Sequence, residues 1–436
     1  METKLNLITE MAGKEKGYKF NNLIHMLNMQ NLKECFYMLK GDKATGVDGV
    51  SVEEYEKNLE GNIGDLIERM KGWSYRPQPV ERVYILKASG KKRPIGIPTV
   101  EDKMVQMCIK RILEAIWEVD FMESSYGFRP GRSSHGAVEK LDKIIMTKPV
   151  NYVIEADIKG FFDNVDHGWL MGFLKERISD RSFLRLIKRF LKAGYVEEGK
   201  KYNTFKGTPQ GGIISPVLTN IYLHYVLDIW VETVVKRNCN GYVELIRYAD
   251  DFVIMVQKKE DTQRIVEALE KRLGKYGLEL AEDKTRIIEF GRYAEENAKR
   301  RGKKPDTFNF LGFTHFCDKS RKKRFKVGRK TGRQKFNMKI KEMNVWLRKI
   351  RNAYKVKEWW PILCAKLRGH FQYYGVSGNY GSIRRYYYLT IKLVFKWLNR
   401  RSQKKSFNWK RFVAYARKHG LPQPKIYHNL YTLYGY

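Results

Sequence analysis

The pattern of apolar and polar positions predicts a mixture of strands and helices along most of the chain. Apolar and polar residues alternate over 80–87, which indicates a strand, and residues 151–158 also have the character of a strand. Residues 241–257 indicate two apolar strands joined at a charged turn. Apolar residues spaced three and four apart over 101–120 indicate a helix, and residues 261–280 indicate an amphipathic helix that begins with an aspartate cap.

The pattern changes in the last third of the chain. A basic segment that contains glycines, residues 320–335, separates the mixed region from a mainly helical end. A length of 436 residues is more than one ordinary domain requires. We therefore expect two or three domains, with a boundary near residue 325.

The charge of the chain is concentrated in the same region. The sequence holds 84 Lys and Arg against 48 Asp and Glu, a net charge of +36. Residues 291–436 hold 38 of the basic residues and only 6 of the acidic ones, interleaved with aromatic residues such as Trp346, Trp359 and Tyr373. A solvated basic tail would be poor in aromatics. The combination instead predicts a folded surface that neutralises phosphates and packs against sugars or bases.

Other features argue against secreted, membrane and zinc-binding proteins. The five cysteines are odd in number and scattered, without the short spacing of a zinc site. The apolar runs fall short of the roughly 18 residues that a membrane-spanning helix requires, and the N-terminus has no apolar signal segment. These features favour a reduced protein in the cytoplasm, without a membrane partner.

Carboxylates at the ends of two predicted strands are candidates for chemistry. Asp250 and Asp251 lie between apolar strands, and an ordinary solvent-exposed hairpin turn would explain them about equally well. Asp157 ends a strand that looks buried, where a carboxylate requires a cation, hydrogen bonds or an exposed strand end. If the strands share a sheet, Asp157 and Asp250 could bind Mg²⁺ together. Asp250 is the safer ligand, because neighbouring strand residues point to opposite faces.

The sequence also contains weaker signals for substrate binding. The glycine-rich loop 207–212 could let the backbone approach a substrate closely, but it matches no nucleotide-binding fingerprint. Lys87 and Arg93 flank a predicted turn between extended segments and could contact a triphosphate. Single surface cations are, however, usually only solvated.

A set of segments, taken in order, resembles the reverse transcriptases encoded by bacterial and organellar group II introns, also called intron maturases. The resemblance covers nearly the whole chain from about residue 30. The matching segments are ATGVDGVS, YRPQPVERVYILKASGKKRPIGIPTVEDKMVQ, SSYGFRPGRSSHGAV, VIEADIKGFFDNVDH, GTPQGGIISPVLTNIYL, RYADDFVIMV, LELAEDKTRIIEF and FNFLGFTH. The C-terminal segments RGHFQYYGVSGN and LNRRSQKKSFNW are similar to the thumb, or maturase, region of the family.

The resemblance implies an α+β fold of the right-hand polymerase type. It implies an N-terminal extension and fingers over 1–95, a fingers and palm core with an antiparallel sheet over 96–325, and a basic helical thumb or maturase domain over 326–436. Many relatives carry a C-terminal HNH endonuclease with paired cysteines and histidines. The C-terminal residues of this sequence have no such spacing, so we expect a form without that nuclease.

The resemblance also implies roles for individual residues. The family's metal-binding aspartates correspond to Asp157, Asp250 and Asp251, which would hold two Mg²⁺ ions, with Mn²⁺ as a substitute. The substrate-contacting residues correspond to Lys87, Arg93 and Gln210, and the bulky residue that excludes a ribose 2′-hydroxyl corresponds to Phe162.

The implied function is RNA-directed DNA synthesis combined with binding of intron RNA to assist splicing and intron mobility. The implied partners are group II intron RNA, an RNA template with a DNA primer, and deoxynucleoside triphosphates. The implied setting is the bacterial cytoplasm or nucleoid, and the sequence does not define the oligomeric state. Two alternatives remain open: an RNA-binding splicing factor whose polymerase is idle, and a related enzyme recruited to phage defence.

Overall fold

A computed structural model describes residues 1–39, 44–86, 92–401 and 407–431. The chain divides into two compact units. The first comprises Met1–Ala137, Ala156–Ile254 and Lys258–Arg286, and the second comprises Val138–Glu155, Met255–Gln257 and Ile287–Tyr436. Several elements are therefore divided between the units.

The helices are spread along the whole described chain. Up to residue 275 they are α1 (Glu2–Lys14), α2 (Met29–Tyr37), α3 (Val52–Glu56), α4 (Leu59–Lys71), α5 (Val100–Trp117), α6 (Ser134–Thr147), α7 (Phe161–Asn164), α8 (His167–Lys175), α9 (Arg181–Leu191), α10 (Ser215–Leu223), α11 (Lys236–Asn238) and α12 (Lys259–Lys275). After it they are α13 (Ala294–Arg300), α14 (Arg333–Ala353), α15 (Val356–Tyr374), α16 (Tyr380–Leu398) and α17 (Trp409–Lys418). Short 3₁₀ turns cover Ile24–Met26 and Glu282–Lys284, and π-helical turns cover His224–Asp228 and Val231–Val235.

The strands of the described residues form three sheets. They are β1 (Val80–Leu86), β2 (Lys92–Ile97), β3 (Tyr152–Asp157), β4 (Tyr195–Glu197), β5 (Lys200–Tyr202), β6 (Val243–Tyr248), β7 (Asp251–Val256), β8 (Arg286–Glu289), β9 (Phe308–Phe310), β10 (Phe313–Lys319) and β11 (Phe325–Thr331). The orders are β2-β1-β4-β5, β11-β10-β9 and β6-β7-β3-β8. The mixed α and β composition agrees with the class predicted from the sequence.

The structure confirms most of the predicted elements and corrects one cap. The predicted strands at 80–87, 151–158 and 241–257 correspond to β1, β3 and the pair β6 and β7. Helix α12 begins three residues earlier than expected, because its N-cap is Lys258 and not Asp261. Asp261 is fully buried inside this helix and accepts hydrogen bonds from the backbone amides of Asn240 and Gly241 instead. The expected aspartate cap is therefore wrong, because the carboxylate serves the loop before β6.

The basic segment 320–335 is ordered secondary structure. It forms β11 and the start of α14, and β11 pairs antiparallel with β10 from Phe313↔Thr331 to Lys319↔Phe325. Residues on both sides of position 325 therefore share one hairpin of the second unit. The division into an enzymatic core and a thumb at this position stays a prediction.

The core of the second unit is built by its helices. Its buried side chains include Trp359, Leu363, Leu367, Phe371, Ile383, Val394 and Phe412. Strand β11 is attached to this unit by Arg329, which is buried, pairs with the buried carboxylate of Asp142 and donates from Nη1 to the carbonyl of Ser377 at 2.8 Å. Because a buried ion requires a partner, this pair fixes how β11 lies in the unit. Within the described ranges, no helix has the length and apolar character needed to cross a membrane.

Candidate functional site

The candidate site lies in the first unit, where two strands end. Strand β3 ends at Asp157, and β6 and β7 are joined by the two residues Ala249 and Asp250. Ala249 adopts a left-handed conformation with φ of +57°, so the chain turns sharply between the strands. Neighbouring residues of a strand point to opposite faces of the sheet. Because the chain turns here, the side chains of Asp250 and Asp251 can depart from that alternation.

The charges around Asp250 indicate that Asp157 lies near it. Burial raises the pKa of Asp250 above its ordinary value, and the negative charge of Asp157 raises this pKa further. The cations Arg93 and Lys284 act on the same pKa in the opposite direction. The Lys284 ammonium forms an ion pair with the Asp157 carboxylate, which raises the pKa of Lys284. The structure therefore gathers two carboxylates and two cations in one cluster.

The backbone brings Lys284 to this cluster. The amide of Ala281 donates to the carbonyl of Asp157 at 2.8 Å, and the amide of Lys159 donates to the carbonyl of Glu279 at 2.9 Å. These bonds extend the edge of β3 past its end and place the turn Glu282–Lys284 beside the strand terminus. Sequence reasoning assigned no role to Lys284. The only signal for it was its position in LELAEDKTRIIEF, a segment that supported the family resemblance.

Asp251 is half-buried at the first position of β7. Among the residues that the structure describes, no three or more Asp, Glu, His or Cys side chains are arranged as a metal-binding group. Asp157 and Asp250 are thus brought together, and Asp251 does not complete a three-ligand set with them. The role of Asp251 as a ligand stays a prediction.

The pair Asp157 and Asp250 suits a hard divalent cation. The negative charge of Asp157 raises the pKa of Asp250, and a positive charge relieves this repulsion, as Lys284 does at Asp157. Mg²⁺ is usually held by only one or two protein carboxylates, with water and substrate phosphates as its other ligands. The residues present therefore fit Mg²⁺ as a bound group.

Arg93 and Gln210 form a second part of the site. Arg93 Nε donates to Gln210 Oε1 at 2.9 Å, so β2 and the glycine-rich loop present these side chains together. The amide of Gly96 donates to the carbonyl of Gln210 at 2.5 Å. Gly211 has a φ of +108°, and a Cβ there would lie 2.5 Å from the carbonyl oxygen of Gly96. The glycine-rich loop therefore uses its lack of side chains to approach β2.

Phe162 contacts the same loop through its backbone. It is buried in α7, with its ring edge-on to Phe161 at 5.8 Å, and its carbonyl accepts a hydrogen bond from the amide of Thr208 at 2.7 Å. The predicted sugar-selecting residue is thus packed against the loop that carries Gln210. Lys87, the remaining predicted substrate contact, lies outside the described residues.

A cavity of about 670 Å³ lies beside this loop. Its walls come from the β1 and β2 hairpin, the end of α9 and residues 203–210. Arg82 and Tyr195 both line it, and the guanidinium carbon of Arg82 lies 3.2 Å from the centre of the Tyr195 ring. Cations and aromatic rings beside a concave surface are a common environment for nucleic-acid bases and phosphates.

Comparison with known proteins identifies the class. Residues 85–315, more than half of the chain, match the family model described as reverse transcriptase (RNA-dependent DNA polymerase). These residues include both strand ends, Arg93 and the glycine-rich loop. The chain belongs to the reverse transcriptase family.

Curated relatives place the chain more narrowly. The group II intron-encoded protein LtrA of Lactococcus lactis subsp. cremoris is 31% identical, over 84% of this chain and 71% of the relative. Protein YkfC of Escherichia coli is 37% identical, over 57% of this chain and 73% of the relative. Nuclear intron maturase 2, mitochondrial, of Arabidopsis thaliana is 28% identical, over 31% of this chain and 24% of the relative. The chain is therefore a member of the group II intron-encoded reverse transcriptases and maturases, as the sequence motifs predicted.

Proposed function

We propose that the chain extends a DNA primer on an RNA template by two-metal nucleotidyl transfer, and that it binds group II intron RNA to assist splicing. One observation carries the catalytic part of this proposal. Asp157 and Asp250 come from separate strand ends, yet they share one cluster with Arg93 and Lys284. A carboxylate pair beside cations is suited to bind metal ions and phosphates together.

The proposed roles follow from the contacts of each side chain. Asp157 and Asp250, with Asp251, would hold two Mg²⁺ ions, which supply charge stabilisation and activation of the primer hydroxyl when bound. Arg93, oriented by its bond to Gln210, would hold the triphosphate of the incoming nucleotide, together with Lys87.

Phe162 would set the preference for deoxyribonucleotides. Its ring is fixed by burial and by Phe161, so it cannot easily move away from an added 2′-hydroxyl. A rigid steric obstacle is an effective way to reject a larger substrate.

We further propose the right-hand layout of polymerases. The strands β6, β7, β3 and β8 would form the palm, the β1 and β2 hairpin would belong to the fingers, and helices α14 to α17 would form the thumb. Intron RNA and the template-primer duplex would contact the basic residues after position 290. Exposed residues such as Arg333, Lys335 and Lys349 on α14 supply cations for phosphates.

Primer extension with a matched pair of variants tests the proposal. Asp250→Asn keeps the size of the side chain and removes its charge, so we expect loss of DNA synthesis on an RNA template while RNA binding in a filter assay survives. Asp65→Asn removes a carboxylate that forms an exposed ion pair with Arg69 on α4, and we expect it to retain both activities.

The same experiment separates the proposal from an idle polymerase. A parent chain that binds intron RNA but never extends a primer would leave only the RNA-binding role. Equal loss of synthesis and RNA binding in Asp250→Asn would contradict the division of the two functions between different residues.

A further inference from the structure

The turn that carries Asp250 is held by a buried arginine three residues before that aspartate. Arg247 is fully buried, and its guanidinium has five N–H donors. Nε donates to Asp228 Oδ1 at 2.7 Å, and Nη2 donates to Asp228 Oδ2 at 2.6 Å and Ser125 Oγ at 2.7 Å. Nη1 donates to Asn220 Oδ1 and to the carbonyl of Ala249, both at 3.0 Å. The five bonds match the number of donors.

The bond to Ala249 has a specific consequence for the site. The carbonyl of Ala249 belongs to the peptide group that leads into Asp250, so Arg247 fixes the plane from which the aspartate extends. Ala249 is in the left-handed region, which residues with a Cβ avoid, and the turn therefore requires support from its surroundings.

A neighbouring segment supports the same turn from outside. The amide of Arg247 donates to the carbonyl of Ser124, and the amide of Tyr126 donates to the carbonyl of Arg247, each at 2.8 Å. A Cβ at Gly127 would lie 2.3 Å from the backbone nitrogen of Ala249, so only glycine allows this approach. Asn220 connects the two parts, because its Nδ2 donates to the carbonyl of Gly127 at 2.6 Å.

Asp228, which anchors the network, lies on an irregular stretch of helix. Asp228 is buried and ends the π-helical turn His224–Asp228. Such turns are rare and occur often at functional sites, because they re-aim side chains. Here the turn accompanies a carboxylate that receives two parallel hydrogen bonds from Arg247. This bidentate geometry requires the planar fork of arginine, and lysine cannot reproduce it.

We propose that Arg247 is a positioning residue of the polymerase site. Through Ala249 it holds Asp250 where that carboxylate and Asp157 can share a metal ion. The inference rests on the proposed polymerase function. It adds that metal binding depends on a buried network of Arg247, Asp228, Asn220 and Ser125, in which Arg247 donates to the carbonyl of Ala249.

A matched pair of arginine variants tests the proposal. Arg247→Lys keeps a positive charge beside Asp228 but loses the fork that reaches Ala249. Arg177→Lys is the control, because Arg177 is equally buried, pairs with Asp120 and donates to the carbonyls of Ala12 and Glu15. Three properties are measured: the melting temperature, the binding of Mn²⁺ by electron paramagnetic resonance without substrate, and kcat and KM for a deoxynucleotide.

The expected pattern separates positioning from stability. Both variants should melt at a lower temperature than the parent. Only Arg247→Lys should weaken Mn²⁺ binding and lower kcat, each by about 10- to 100-fold, which is typical of residues that orient metal ligands. KM for the nucleotide should change much less, since the contacts of Arg93 and Gln210 are retained. Equal losses of Mn²⁺ binding and kcat in both variants would overturn the proposal, and so would parent-like Mn²⁺ binding in Arg247→Lys.

A glycine pair covers the case in which Arg247→Lys does not fold. Gly127→Ala pushes on the turn without replacing any residue of the network, whereas a Cβ at Gly136 would have no neighbour closer than 3.5 Å. We expect weakened Mn²⁺ binding in Gly127→Ala and parent-like binding in Gly136→Ala; the opposite result would refute the role of the turn. A parent that extends no primer would contradict the proposed function, while the Mn²⁺ titration would still decide the positioning role.

Discussion

The glycine-rich loop offers a quantitative test of the proposal that Arg93 and Gln210 bind the incoming nucleotide. In Gly211→Ala, the new Cβ would lie 2.5 Å from the carbonyl oxygen of Gly96, whereas ordinary contacts begin at 3.4 Å. The loop must therefore move by about 1 Å, and misplacements of that size cost roughly 100-fold in activity in other enzymes. The φ of +108° adds about 1–3 kcal/mol of backbone strain.

The consequence for activity follows from the bond that the movement breaks. Loss of the hydrogen bond from Arg93 to Gln210 removes about 1.5–3 kcal/mol of transition-state stabilisation, which corresponds to about 10- to 150-fold in kcat/KM. We expect this loss in single-nucleotide primer extension with a titration of the deoxynucleotide.

A second glycine separates the effect of backbone strain from the effect of a steric clash. Gly199 has a φ of +76°, but a Cβ there would meet nothing within 4 Å. Gly199→Ala should therefore lose some stability and keep its kcat/KM. The reasoning is refuted if Gly211→Ala extends primers within about threefold of the parent, or if Gly199→Ala loses as much activity.

Further predictions concern selectivity, pH, salt and stability. Phe162→Ala should lower the ratio of kcat/KM for deoxy- over ribonucleotides, and an unchanged ratio would exclude the proposed steric role. Lys284 lowers the pKa of Asp250, so Lys284→Ala should raise that pKa and move the acid limb of the pH–rate profile to higher pH; a shift to lower pH would contradict this sign. RNA binding should weaken steeply with salt, and Lys349→Gln should reduce the logarithmic salt slope by about 1 if this exposed residue contacts a phosphate. Leu363→Ala, at a fully buried position of α15, should lower the free energy of unfolding by about 2–5 kcal/mol in a denaturant titration.

The elements that sequence analysis predicted well are those with a strong local pattern. Strands β6 and β7 were predicted because apolar residues flank a charged pair, and β7 is buried at each position after Asp251. The cap at Asp261 was predicted wrongly because a buried carboxylate can serve a distant loop as well as its own helix. The segment 320–335 looked like a connection because its charges hide the alternation that forms β11.

The site was predictable only as far as its residues carry a motif. Asp157, Asp250, Arg93 and Gln210 stand in segments that resemble a family, and the structure places Asp157 near Asp250 and Arg93 against Gln210. Lys284 carries no such signal as a charge partner, because it reaches Asp157 across 127 positions of sequence through the backbone pairing of residues 279–281.

Buried arginines also change what the net charge means. Sequence counting treats Arg247 and Arg329 as part of the excess of +36 that attracts nucleic acid. Both are buried, and each pairs with a carboxylate. Arg247 pairs with Asp228, 19 positions away in the sequence, and Arg329 pairs with Asp142, 187 positions away. These two cations hold the fold and cannot neutralise phosphates. The charge that faces RNA is therefore set by exposed residues such as Arg333 and Lys349, and only such residues should contribute to the salt dependence of binding.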